Sequence, residues 1–188
     1  MSKYLTHVET WKSCTACSLS TGRKHVVFLR GTIPCDILFV GEAPGVSEDT
    51  LGKPFIGPAG KLLSQIIESA TKEARVGEPR IGLTNLVSCF PHDGSVPVEP
   101  KAESIAACSP KLHELIRLSK PTAIICVGKL AQTAAKKQDW KTLFKLESLS
   151  SITHPAAILR QDVALRPLSI EQCVVEIASV FSTVLIPF

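Results

Sequence analysis

The sequence lacks any unbroken apolar run of the roughly 18 to 20 residues that a membrane-spanning helix needs. Its amino end, Met-Ser-Lys-Tyr-Leu-Thr-His, lacks the long apolar region of a secretory signal. Both absences lead to the expectation of a cytoplasmic protein with no membrane partner. No internal repeat and no linker interrupt the chain, so its 188 residues are expected to form one domain, 1–188, with a sizeable core, acting as a monomer. Net charge is also slight, at +4. That value permits nucleic-acid binding without singling it out. A composition 45% hydrophobic and 20% charged is that of a globular protein and excludes a disordered chain.

An even complement of cysteines is missing too. Seven argue against a simple disulfide framework. Cys35, Cys126 and Cys173 adjoin apolar runs and read as buried structural thiols. Cys14, Cys17, Cys89 and Cys108 need a different account. The two-residue gap between Cys14 and Cys17 lets both sulfurs reach one metal centre, and Cys89 and Cys108 can complete a set of four thiolates. Zinc and an iron–sulfur cluster both accept such a set, and the first pair alone can serve as a redox couple.

What the sequence has in abundance is turn chemistry at one place. Gly41 to Gly60 holds five glycines and three prolines in twenty residues. It follows a short apolar run, Asp36-Ile37-Leu38-Phe39-Val40, that reads as a buried strand, and it precedes a helical pattern opening at Pro58. A loop between a strand's carboxyl end and a helix is where an open α/β sheet binds ligands. Further strands are read at 80–87, 122–127 and 150–153, and helices at 5–11, 58–74, 101–118, 128–135 and from 168 onward. Residues 21–35 are expected to be irregular or an edge strand, 90–100 to be loop, and 137–147 follows no pattern. The alternation predicts an α/β fold, a three-layer α/β/α arrangement around a central, mainly parallel four-stranded sheet. Two more candidate pieces, Thr84-Asn85 and His154-Pro155, fall at carboxyl ends of predicted strands and so can face the same crevice.

Taken together, Gly41-Glu42-Ala43-Pro44-Gly45 with Glu48-Asp49, Pro54-Phe55 and Ala59-Gly60, then Thr84-Asn85 with Cys89 four residues on, then His154-Pro155-Ala156-Ala157-Ile158-Leu159-Arg160 closely resemble the motifs of the iron–sulfur uracil-DNA glycosylases, family 4 of that superfamily, over nearly the whole chain. The resemblance implies the uracil-DNA glycosylase fold. It implies hydrolysis of the N-glycosidic bond of deoxyuridine in single- or double-stranded DNA, and a [4Fe–4S] cluster on Cys14, Cys17, Cys89 and Cys108. It also suggests roles. Asn85 pairs with the uracil edge, since an amide donates and accepts at once. Phe55 stacks on the extruded base, with Gly41 and Ala43 beside it. His154 donates to uracil O2 as negative charge grows there. Glu42 either activates water or crowds the C5 position. Gly57, Pro155, Ile158, Leu159 and Arg160 contact DNA, Ile158 and Leu159 as a wedge and Arg160 as a phosphate anchor. Glu48 and Asp49 brace the loop.

The chain departs from the family pattern in four respects, the first being the 18 residues between Cys89 and Cys108, somewhat wide for the family. It carries Ala157 where a Tyr is common, and Ala43 where the best-known superfamily members have an Asp. Its loop Phe90-Pro91-His92-Asp93-Gly94-Ser95 lacks the family's arginines. Two rivals therefore stand beside the enzyme: a catalytically weak or inactive uracil- or DNA-binding protein of the same fold, and a zinc-stapled interaction protein.

Overall fold

The computed structural model describes residues 2–94 and 96–185; Ser95, in the loop just named, lies outside them. The four expected strands all form: β2 (Ile37–Gly41), β3 (Ile81–Asn85), β6 (Ala123–Val127) and β7 (Ser148–Ile152). They run parallel in the order β3-β2-β6-β7. The expected four-stranded sheet gains a fifth member, because β1 (Arg30–Gly31) adds antiparallel to the outer edge of β3. Its two residues carry no readable alternation, so the pairing shows only in three dimensions.

Side-chain alternation along the central strands divides the core in two. Ile37, Phe39 and Ile125 point to one face, where α3 (Pro58–Ala74) and α8 (Arg166–Leu185) cover them. Leu38, Val40 and Ile124 point to the other and meet Leu112 and Ile116 of α4 (Ala102–Ser119), Ala131 and Ala135 of α5 (Lys129–Lys137), and the fully buried Trp140 of α6 (Trp140–Leu143). The three expected structural thiols lie in these cores, and burial pushes Cys35 and Cys126 up to about 12.

Four short elements occupy stretches read as loop or left unplaced. They are α2 (Val46–Leu51), the antiparallel pair β4 (His92–Asp93) and β5 (Val96–Pro97), and α6. Amino-terminal α1 (Lys3–Trp11) packs on α4. Helix α8 is long and apolar enough by length and composition to cross a membrane. Its apolarity has a local cause: Cys173, Ile177, Ala178, Val180 and Phe181 are buried in the core shared with α3.

Strand order reverses at β2, since the chain leaves it first toward β3 and later returns on its other side at β6. Ligands bind open α/β sheets at the carboxyl ends of strands flanking such a point. There the fold opens a crevice of about 760 Å³.

Candidate active site

Four strand ends supply the crevice. Glu42, Ala43, Phe55 and Gly57 come from the loop after β2, Asn85 from the end of β3, Gly128 and Thr133 follow β6, and His154 and Arg160 follow β7. Of the residues expected from sequence to share a site, Glu42, Ala43, Phe55, Gly57, Asn85, His154 and Arg160 are thus brought together.

The floor depends on a missing side chain. Gly41 and Asn85 are register partners at the ends of β2 and β3. A Cβ on Gly41 would stand 2.5 Å from Asn85 Oδ1 and 2.5 Å from Phe55 Cζ. Both side chains therefore converge over Gly41 only because it is glycine. Phe55 holds φ of 56°, a left-handed conformation costly for an aromatic residue. Its backbone lies directly against Gly60, where any Cβ would collide with the Phe55 carbonyl. Asn85 is 4% exposed, and its amide makes no hydrogen bond among the described residues, so both amide ends remain available to a ligand.

The loop is fastened by the two acids read as braces. Glu48 Oε1 accepts from the amides of Ile56 (3.0 Å) and Gly57 (2.8 Å), and Oε2 accepts from Gly45 (3.1 Å). One carboxylate thus ties both ends of the bend. Asp49, buried, accepts from the amides of Lys24 and His25 and fixes the preceding segment to the loop.

His154 caps α7 (Pro155–Arg160) and its Nδ1 accepts from the Ala156 amide at 3.1 Å. An accepting Nδ1 assigns the neutral tautomer with its proton on Nε2, which is then the donor. Burial, then the charge of Arg160, holds the imidazole pKa below its ordinary value and keeps it neutral. Gly128, with φ of 97°, makes room for the ring: a Cβ there would lie 3.0 Å from His154 Cβ. Glu42 is half-buried. Burial, then the negative charge of Glu99, raises its pKa above the usual carboxylate value, opposed by Arg160. Sequence reasoning missed Glu99, which lines the crevice just beyond β5. Its place is set by a two-by-two-residue hairpin with no signature.

The expected DNA-contacting set divides. Leu159 (36% exposed) and Arg160 reach solvent at the rim. Ile158 is fully buried in the core beneath α7 and cannot serve as a wedge; the periodicity of α7 turns it inward. Pro155 is also buried. Gly57 lines the crevice, but its amide is taken by Glu48 and is not free for a phosphate.

Among the described residues, no three or more His, Cys, Asp or Glu side chains form a group placed to hold a metal ion. The four-cysteine set is therefore not closed as a metal centre. Its parts are nonetheless neighbours. Cys89 and Cys108 are buried and close enough to act on one another electrostatically. Cys14 follows α1, which α4 holds through Trp11 Nε1 donating to Glu114 at 2.8 Å. Ser18, Leu19 and Thr21, just past Cys17, share a small cleft with Phe90, His92 and Ser104 of the segments bearing Cys89 and Cys108. Two cations attend the thiols. Arg23 Nη1 lies 3.7 Å from Cys89 Sγ, and Lys111 is buried with its Nζ unpartnered. Thiol donors with uncompensated positive charge beside them suit an anionic, thiolate-held group in chemistry and sign.

Residues 29–178 match the family model described as the uracil DNA glycosylase superfamily. The chain is similar to a protein named type-4 uracil-DNA glycosylase from Saccharolobus solfataricus, with 36% identity over 141 residues, 75% of this chain and 61% of that one. It therefore spans less than two thirds of that relative's length. A protein of the same name from Pyrobaculum aerophilum is 33% identical over 171 residues, 81% of this chain and 83% of its own. Among solved structures, Pedobacter heparinus SMUG2 superposes with a TM-score of 0.57 at 12% identity, covering 78% of this chain and 76% of that one; at that identity the likeness is one of fold.

Proposed function

The chain belongs to the uracil DNA glycosylase superfamily, in its type-4 branch, and on that premise we propose that it hydrolyses the N-glycosidic bond of deoxyuridine in DNA, releasing uracil and leaving an abasic site for base-excision repair. The observation that carries the reading is the convergence of Asn85 and Phe55 over Gly41, in the crevice that His154 also lines.

The chemistry follows from those groups. A base must leave the helical stack to enter the crevice. Phe55 gives its apolar face to the extruded ring. The Asn85 amide donates to uracil O4 and accepts from N3–H; cytosine offers the reverse pattern and leaves both amide ends mispaired. As the bond from C1′ to N1 breaks, negative charge spreads onto the departing base. The Nε2–H of neutral His154 stabilises that charge at O2. Glu42 orients a water toward C1′ and takes its proton as the new C–O bond forms. Ala43 supplies no second carboxylate, so His154 carries the larger share of the rate. Arg160 holds a backbone phosphate at the rim, with Leu159 beside it to fill the gap left by the base.

Cys14, Cys17, Cys89 and Cys108 are taken to hold a [4Fe–4S] cluster. When bound, that group cross-links the segment after α1 to α4 and to the loop after β3. Its role in this reading is structural, within one domain of 1–188.

The test is base release from uracil-containing oligonucleotides, single-stranded and paired with G or A, using anaerobically purified protein. Alkali-labile product that disappears in Asn85→Ala and His154→Ala is expected. Protein that binds uracil-containing DNA but releases no base would overturn the enzyme reading in favour of a binding protein.

A further inference from the structure

Lys111 is a buried charge for which the active site gives no reason. It lies on α4, 2% exposed, and its Nζ finds no hydrogen-bond partner among the described residues. An unpaired ammonium is among the costliest groups a core can hold. The ion pairs among the described residues do not include it. Glu114, one turn further along the same helix, is engaged elsewhere: its Oε2 accepts from Trp11 and lies 3.1 Å from His7 Nδ1.

Its neighbours on the other side are thiols. Lys111 follows Cys108 by three residues, a spacing that places both on one helix face, and both are buried. Cys89, another member of the thiol set, is buried as well, and Arg23 Nη1 lies 3.7 Å from its Sγ. We infer that Lys111 is the buried counter-charge of the group held by Cys14, Cys17, Cys89 and Cys108, setting how readily that group is retained and reduced. The inference rests on the cluster reading above.

The physics fixes the sign. A [4Fe–4S] core on four thiolates carries net negative charge, and accepting an electron makes it more negative. A cation screened from water stabilises the reduced form most and so raises the midpoint potential. Arg23 carries the same charge but is only half-buried, where solvent weakens its effect. Lys111 therefore has the larger influence of the two.

The experiment compares anaerobically purified wild type, Lys111→Met, Lys111→Arg and the exposed control Lys101→Met. Iron and sulfide content, the midpoint potential and the rate of bleaching by a chelator are measured in each. Wild type containing no iron would sink the cluster reading and the inference with it. With iron present, Lys111→Met is expected to shift the potential lower and bleach several-fold faster. Lys111→Arg and Lys101→Met should remain close to wild type. A Met variant purified without iron beside an Arg variant that retains it leads to the same conclusion. An unshifted potential in Lys111→Met, or loss of iron from the Met and Arg variants alike, would overturn the inference while leaving the cluster reading in place.

Discussion

Asn85 leans so far across its neighbouring strand that its Oδ1 lies 2.5 Å from the point where Gly41 would carry a Cβ. The two residues are register partners in a parallel ladder, so nothing but the missing methyl makes this approach possible. The amide proposed to read a base is therefore positioned by the end of a strand.

Gly41→Ala tests that relationship. The new methyl must displace Asn85 or Phe55, and uracil release should fall by about 10²-fold or more, as for misplacement of a group by an ångström. Gly41 does not have a left-handed backbone, so the fold should survive. Circular dichroism would report that, and a variant with wild-type kcat/KM would refute the placement.

Replacing His154 by Ala removes the donor to O2 and should lower kcat by about 10²–10³-fold, the usual cost of one such donor. DNA affinity should change far less. A loss seen only in KM would assign His154 to binding instead.

For the pH dependence, the charged groups acting on Glu42 are Glu99 and Arg160. Burial, then Glu99, raises the Glu42 pKa, so the base is lost as pH falls through a value above that of an ordinary carboxylate. Burial lowers the His154 pKa, so its protonation also belongs to the acid side, but Glu99 acts on Glu42 and is not among the causes that shift His154. Glu99→Gln removes one of the raising causes and should move the acid limb of kcat/KM to lower pH. An unmoved limb would show that Glu42 is not the titrating base.

Ile158→Ala should cost about 2–5 kcal/mol of stability, read by denaturant unfolding, because it empties a filled core position. Leu159→Ala should leave stability within about 0.5 kcal/mol, since the side chain reaches solvent, yet weaken binding to uracil-containing duplex. The opposite pairing of effects would restore Ile158 as the wedge.

The legible parts of the sequence were those where local chemistry decides the outcome. Ile37 to Val40 is apolar on both faces and could only be a buried strand, and Pro58 opens α3 where the pattern places it. Asn85 and His154 stood out because Thr84-Asn85 with Cys89, and His154-Pro155 with Leu159-Arg160, match family motifs at the ends of strands. What escaped notice depends on contacts distant in sequence or on very short elements. Helix α2 has six residues and exposes Val46 and Leu51, so it shows no apolar stripe. Glu99 owes its place to a hairpin and Lys111 its burial to the packing of α1 and α4. Ile158 was misplaced because a motif gives an order of residues but not the face of the helix each one occupies.

The Glu48 brace has a consequence for how the protein searches. Its carboxylate is satisfied by three amides of its own loop before any nucleic acid arrives, so the recess is complete in advance. Nothing has to be moulded around a candidate base, and an unsuitable one meets the same walls as a suitable one. On the proposed function, discrimination then rests on how each extruded nucleotide fits walls that Glu48 has already set.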